Sequence, residues 1–210
     1  NDLDAMGPAR DADQVIQTDA RISEILGRKN NTIHLMPIIE TSAGGMNAFS
    51  IARASEQNVA LAIGLEDYTA DIGTQRSADG QESFFARSMV VNAARAAGIQ
   101  PIDSVFSDID DMEALARYVK GSKALGFAGI GCIHPRQIPV IHDNFLPDDA
   151  ETEKAKRIVL AFEQAEKEGR GVVAVDSKMI DPPVVQRALK TIERAVKAGK
   201  LQEKWRDANA

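Results

Sequence analysis

The chain has 210 residues, of which 44% are hydrophobic, and a formal net charge of −6. That composition supports one sizeable core, and the length suits one domain or a little more. The acidic balance excludes the basic footprint of a nucleic-acid binder, and no run of about 18 apolar residues is present to span a membrane.

Residues 1–10 contain Gly7 and Pro8 and read as an irregular lead-in. From Asp11, the apolar positions Val15, Ile16, Ile22, Ile25 and Leu26 predict a helical stripe that stops at Gly27. A polar loop follows, then a strand over 33–39. Residues 41–47, TSAGGMN, carry the two glycines of a tight strand-to-helix turn, and a helix is expected over 47–55. Its N–H groups would point back toward Glu40, where they suit an anion. A strand over 59–63 comes next. Residues 71–80 are polar and contain glycine, the composition of a functional loop. A helix over 81–97 is expected to bury Phe85, Met89, Ala93 and Ala96 and to end at Gly98. A third strand over 102–106 precedes a helix capped by Asp110, with Met112, Leu115, Ala116 and Val119 inward. A fourth, glycine-containing strand over 127–133 leads into His134-Pro135.

Alternating strands and helices from residue 33 onward argue for parallel βα units. Four such strands make roughly half of a closed eight-stranded barrel, which typically takes about 200 to 250 residues or more. We therefore expect a partial barrel over 1–146 and a helical segment over 147–210. In that segment Asp148 or Asp149 caps a helix to about Lys167, a short strand pair surrounds residues 172–175, and Asp181-Pro182-Pro183 starts a last helix. Such an appendage suits packing on the barrel or on a neighbouring subunit. Trp205, alone in a polar tail, reads either as an anchor on a partner or as disordered.

The stretch that organises the chain is 61–73, LAIGLEDYTADIG. An apolar run that turns acidic at Glu66 and Asp67 reads as a buried parallel strand whose end emerges into a site. The strand over 33–39 has the same shape and ends at Glu40. Ligands gather at the carboxyl ends of parallel strands. The central expectation is that Glu40 and Asp67 share a divalent cation, magnesium. Glu40 by position alone also reads as a salt-bridged strand-end acid. Glu66 and Asp67 should face opposite ways on a strand, with Asp67 toward the site and Glu66 in support, or the reverse. An acidic chain needs local compensation to hold an anionic substrate.

Four motifs occur together over about 33–190: IIET before a glycine-containing turn, GLEDYTADIG, GCIHPRQI and VDSKMIDPP. The set resembles the citrate lyase beta subunit and its HpcH/HpaI-aldolase relatives. That resemblance implies a TIM (β/α)8 barrel of the phosphoenolpyruvate/pyruvate type, here lacking its first strands, with a C-terminal segment that reaches over a neighbouring subunit. It implies a homotrimer or hexamer in the cytoplasm, with other citrate lyase subunits as further partners. It also implies Mg2+ and cleavage of a citryl-, malyl- or citramalyl-CoA type thioester, carried on CoA or on an acyl-carrier protein. A non-catalytic fragment with a scaffold role is the alternative.

The resemblance assigns Glu40 and Asp67 to the metal and Asp181 to general-base catalysis, although Asp-Pro-Pro is also a good plain helix cap. His134 and Pro135 would line the thioester cofactor's channel; a lone histidine is otherwise more often structural. Gly44 and Gly45 could bring backbone N–H groups to a substrate carboxylate or merely serve the turn, and Arg76 could meet a carboxylate or phosphate bidentately or stay solvated. Two departures stand out. The first strands, which in relatives carry an arginine and an acidic motif, precede the matched stretch. The lysine that relatives often hold before the IHP turn is replaced here by Ile130.

The single cysteine, Cys132, permits no intramolecular disulfide, fits a reducing compartment and is expected in the core. The N-terminus lacks the basic and apolar regions of a signal peptide. A first residue of Asn leads us to expect a chain trimmed or internal to something longer.

Overall fold

The computed structural model describes residues 9–206. The lead-in before residue 9 and the last four residues lie outside the described residues. The chain divides into two compact units, Asn1–Phe145 and Leu146–Ala210.

The first unit is an α/β layer around a four-stranded parallel sheet, order β1-β2-β3-β4, formed by Ile38–Ile39, Ala60–Ile63, Gln100–Asp103 and Gly129–Ile130. Every residue of β2 is buried, as a central parallel strand covered on both faces should be. The first strand is shorter than the apolar run that suggested it. Pro37 has no N–H to give the ladder and offers only its carbonyl, to Ala62 N at 2.9 Å; upstream, pairing survives only as an isolated bridge between Leu35 and Asn58.

Helix α1 (Ala12–Leu26) starts where expected. Asp11 accepts from Gln14 N, and Gly27 closes the helix in the left-handed conformation. Of its apolar stripe only Val15 is buried, while Ile16 and Ile25 are half-exposed. The glycine turn is itself helical: α2 (Ser42–Met46) and α3 (Ala48–Ala52) are two short helices meeting at Asn47, in place of one helix over 47–55. After β2 comes α4 (Leu65–Asp71). A single 3-10 turn (Gln81–Ser83) leads into α5 (Phe84–Ala97). The buried face of α5 is Ala86, Arg87, Val90, Ala93 and Ala94, whereas Phe84 and Phe85 are largely exposed. Small side chains let the helix lie close to the sheet, so size alone misjudged the inward face. Helix α6 (Met112–Leu125) is capped by Asp111, one residue later than expected: Asp111 Oδ1 accepts the Ala114 N–H, while the Asp110 carboxylate pairs with Arg136. Helix α7 (Gln137–Phe145), absent from the sequence reading, completes the unit.

The core joins Ile39, Leu61, Ile63 and Leu65 to Ile51, Val90 and Phe127, with a satellite of Leu115, Val119 and Ile141. Each of the larger side chains contributes about 1.5 to 3 kcal/mol of burial free energy.

The second unit packs α8 (Asp149–Lys167) and α9 (Pro182–Lys197) around an antiparallel hairpin of β5 (Val173–Val175) and β6 (Lys178–Ile180). Asp148 and Glu151 form a capping box at α8. Trp205 is 5% exposed and joins Phe162, Ile180 and Ile192 in that unit's core. No helix among the described residues is long and apolar enough to cross a membrane.

Candidate functional site

The sheet places two acids together at the carboxyl ends of neighbouring strands. Ile39 O accepts the Gly64 N–H at 2.8 Å, so β1 and β2 end level with each other. Glu40 follows the first strand directly. After the second, Gly64 is the extended cap of α4, and Glu66 and Asp67 fall in that helix's first turn. The pair expected on a strand therefore sits on a helix. At 3.6 residues per turn, adjacent side chains diverge by about 100° instead of pointing to opposite faces. Glu66 turns to Arg76, whose Nη1 lies 2.9 Å from Glu66 Oε1. Asp67 acts on Glu40 through its charge. Burial, and then the Asp67 charge, push the Glu40 carboxyl above its ordinary range.

The start of α4 is held by a contact from elsewhere in the chain. Ser104 Oγ, buried just after β3, accepts the Leu65 N–H at 3.1 Å. One of the helix's orphan donors is thereby satisfied without a local cap. Beneath it, Arg87 Nε meets both oxygens of Asp103 at 3.1 and 3.2 Å, and its Nη2 also reaches Oδ2. Ser122 Oγ donates to Asp103 Oδ2 at 2.6 Å, and the Ser104 N–H to Oδ1 at 2.9 Å. Arg87 and Asp103 are both buried. Sequence reasoning missed this network. Its signal was a third strand ending in an acid, answered by an arginine on the inward stripe of α5.

The remaining candidates occupy more ordinary places. Arg76 is held by Glu66, by Val105 O at 3.2 Å and by the Tyr118 ring 5.8 Å away, so its guanidinium braces the 72–80 loop. The Gly44 N–H donates to Thr41 Oγ1 at 3.1 Å, and the Gly45 N–H to Thr41 O at 2.9 Å; both donors are engaged inside α2. A Cβ on Gly44 would come within 2.3 Å of Ala9 O, so glycine there admits a close chain crossing. The Ser42 N–H and Oγ both donate to Asp71 Oδ2 at 2.7 Å.

His134 is half-buried and Pro135 exposed at the turn after β4. There the Gln137 N–H donates to His134 O, and the Arg136 N–H to His134 Nδ1, which shapes the entry to α7. Gln137, fully buried, ties this turn to Phe106 O at 2.9 Å. Cys132 is exposed, contrary to the expectation of a core position, because β4 ends before it and its Sγ donates to His134 O. Asp181 lies in the second unit. It caps α9, accepting the Val184 N–H at 3.2 Å.

The donor set suits one metal chemistry. Among the described residues no three or more His, Cys, Asp or Glu side chains cluster in a way that could hold a metal. Two carboxylates and no nitrogen or sulfur ligand fit magnesium, which takes oxygen donors and keeps several waters.

The family model described as HpcH/HpaI aldolase/citrate lyase matches residues 6–135, more than half of the chain. The chain belongs to the HpcH/HpaI aldolase/citrate lyase family. The citrate lyase subunit beta of Haemophilus influenzae is 40% identical over 205 residues, covering 96% of this chain and 70% of that relative. The mitochondrial citramalyl-CoA lyase of Mus musculus is 32% identical over 171 residues, covering 77% of this chain and 51% of that enzyme. A crystal structure of CitE from Mycobacterium tuberculosis, in complex with magnesium, acetoacetate and coenzyme A, superposes with a TM-score of 0.73 at 32% identity. It covers 89% of this chain and 66% of that one. The chain thus spans between about half and 70% of the length of these family members.

Proposed function

We propose that this chain contributes to a magnesium-dependent carbon–carbon lyase that cleaves a short β-hydroxyacyl thioester, of the citryl type first and the malyl or citramalyl type next. The observation that carries the reading is the placement of Glu40 directly after β1 and Asp67 just after β2, neighbouring strands that end level, where burial first and the Asp67 charge second raise the Glu40 carboxyl. The relatives named citrate lyase subunit beta and citramalyl-CoA lyase, and the CitE complex holding magnesium and coenzyme A, support it.

In this reading the four parallel strands are part of a TIM barrel. Glu40 and Asp67 hold the metal through carboxylate oxygens. When bound, magnesium supplies Lewis-acid polarisation of the substrate's hydroxyl and carboxylate oxygens. Asp181 accepts the hydroxyl proton at its carboxylate. The carbon–carbon bond then breaks, its electron pair passing into the thioester enolate while the hydroxyl carbon becomes the carbonyl of a keto acid. The proton taken from the hydroxyl is returned to the enolate carbon, which leaves Asp181 ionised for the next turnover. His134 and Pro135 contact the thioester carrier, coenzyme A or an acyl-carrier protein. Gly44, Gly45 and Arg76 would border the substrate, with their present hydrogen bonds to Thr41 and Glu66 shaping that wall. We place the enzyme in the cytoplasm as a homotrimer or hexamer, with the second unit delivering Asp181 to a neighbouring subunit's site.

The test is a panel of hydroxyacyl thioesters offered to the chain with and without magnesium. Cleavage that requires the metal and disappears in Asp67→Asn is expected. Metal-independent cleavage, or full turnover in that variant, refutes the proposal.

A further inference from the structure

We infer that Gly64 is a positioning residue for the metal-binding pair: having no side chain, it leaves the space that the Glu40 carboxylate occupies. The inference rests on the magnesium reading and extends it to a residue that offers no ligand atom.

Backbone conformation gives no reason for glycine at this position. Gly64 has φ −107° and ψ 105°, an extended geometry open to any residue. Its N–H bond to Ile39 O is one that any residue but proline would make. Its place in the fold favours something else, since it is the N-cap of α4, where Ser, Thr, Asp or Asn would accept one of the helix's free N–H groups.

The reason is steric and specific. A Cβ built on Gly64 would lie 2.6 Å from Glu40 Oε1, 2.8 Å from Cγ and 3.1 Å from Cδ, and these are its three nearest atoms. At Gly44 the obstacle to a side chain is backbone, the carbonyl of Ala9. At Gly64 it is the movable end of one side chain. An alanine here would leave the strand and helix where they are and swing Glu40 aside. Cap quality is thus given up for room. The Leu65 N–H, at the first helical position and outside the reach of an N-cap side chain, is satisfied separately by Ser104 Oγ.

The experiment is calorimetric titration of the full chain with magnesium chloride, alongside thermal melts without metal. Wild type should bind, and Glu40→Ala and Asp67→Ala should not. Gly64→Ala should bind about tenfold more weakly or worse, the usual scale for residues that orient metal ligands, with an unchanged melting midpoint. Glu40→Asp, one methylene shorter, should weaken binding in the wild-type background but restore part of the affinity in the Gly64→Ala background. A merely structural glycine would not produce that reversal. Wild-type affinity in Gly64→Ala overturns the inference and leaves the metal reading standing. No binding by wild type removes the metal reading and this inference with it. Should Gly64→Ala fail to fold, the Gly64→Ala/Glu40→Ala double variant decides. It should melt with Glu40→Ala if Glu40 is the sole obstacle, and failure to fold there also overturns the inference.

Discussion

Ser104 Oγ accepts the Leu65 N–H at 3.1 Å, a buried bond between residues 39 apart in sequence. It holds the first turn of α4, on which Asp67 stands. Ser104→Ala would leave the Leu65 N–H without its partner, a loss of about 1 to 3 kcal/mol. The expected outcome is a lower melting midpoint together with weaker magnesium binding. Ser104→Thr, which keeps the hydroxyl, should recover binding better than Ser104→Ala.

Magnesium should stabilise the chain through the Glu40–Asp67 pair. A ligand at 100 times its dissociation constant adds about 2.7 kcal/mol to the folded state. Differential scanning fluorimetry should show a metal-dependent rise in the melting midpoint of wild type. Neither Glu40→Gln nor Asp67→Asn should show it. Without metal, Glu40→Gln should melt at or above the wild-type temperature, because the substitution removes a partly buried charge and, with it, the repulsion from Asp67. A magnesium shift surviving in both variants would place the metal elsewhere.

The buried Arg87–Asp103 pair predicts asymmetric losses. Arg87→Met strands a buried carboxylate, and Asp103→Leu strands a buried guanidinium. Breaking such a pair from one side costs about 3 to 5 kcal/mol. Replacing both, as Arg87→Met/Asp103→Leu, should cost less than the sum of the single changes. Urea denaturation of the three variants measures the coupling directly.

Asp71 sets part of the acid limb of stability. The two hydrogen bonds from Ser42, backbone first and side chain second, hold its carboxyl below the ordinary range. The ionised form is therefore favoured in the folded chain. Its contribution is fully present above the unfolded carboxylate value and fades as pH falls through the lowered one. Asp71→Asn and Ser42→Ala should each flatten the loss of melting temperature on acidification. Curves parallel to wild type would show that the Ser42 contact has no such role.

Capping and catalysis can be separated at Asp181. Asp181→Asn keeps an oxygen for the Val184 N–H and should preserve stability, whereas Asp181→Ala should lose about 1 kcal/mol. A general base contributes typically about 10²- to 10⁴-fold to rate, so both variants should lose turnover on that scale with substrate affinity little changed. Mixing an Asp181 variant with an Asp67 variant should restore some activity if neighbouring subunits share sites. Absence of rescue in verified mixed oligomers would refute sharing.

What the sequence disclosed was mostly local. Asp11, Asp148 and Asp181 announced helix starts, and Gly27 and Gly98 helix ends, because a cap and its partner lie within a few residues. The two acids at strand ends were legible for a similar reason: an apolar run ending in a carboxylate is a short pattern. The helical setting of Glu66 and Asp67 was not, since it depends on Ser104, far along the chain. The inward face of α5 was right at Ala93 but misread at Phe85, which outweighs Ala86 and Ala94 in hydrophobicity, while closeness to the sheet favours the small residues. Helix α7 was hidden by Pro139, which sits in its first turn, where proline is tolerated.

The burial of Trp205 has a practical consequence. It is the sole tryptophan, and it lies in the second unit, whereas both tyrosines, Tyr68 and Tyr118, lie in the first. Indole emission therefore reports on Leu146–Ala210 alone, and phenol absorbance on Asn1–Phe145 alone. Two optical channels already present in the natural chain can show whether the units melt in one step or two, with no label attached.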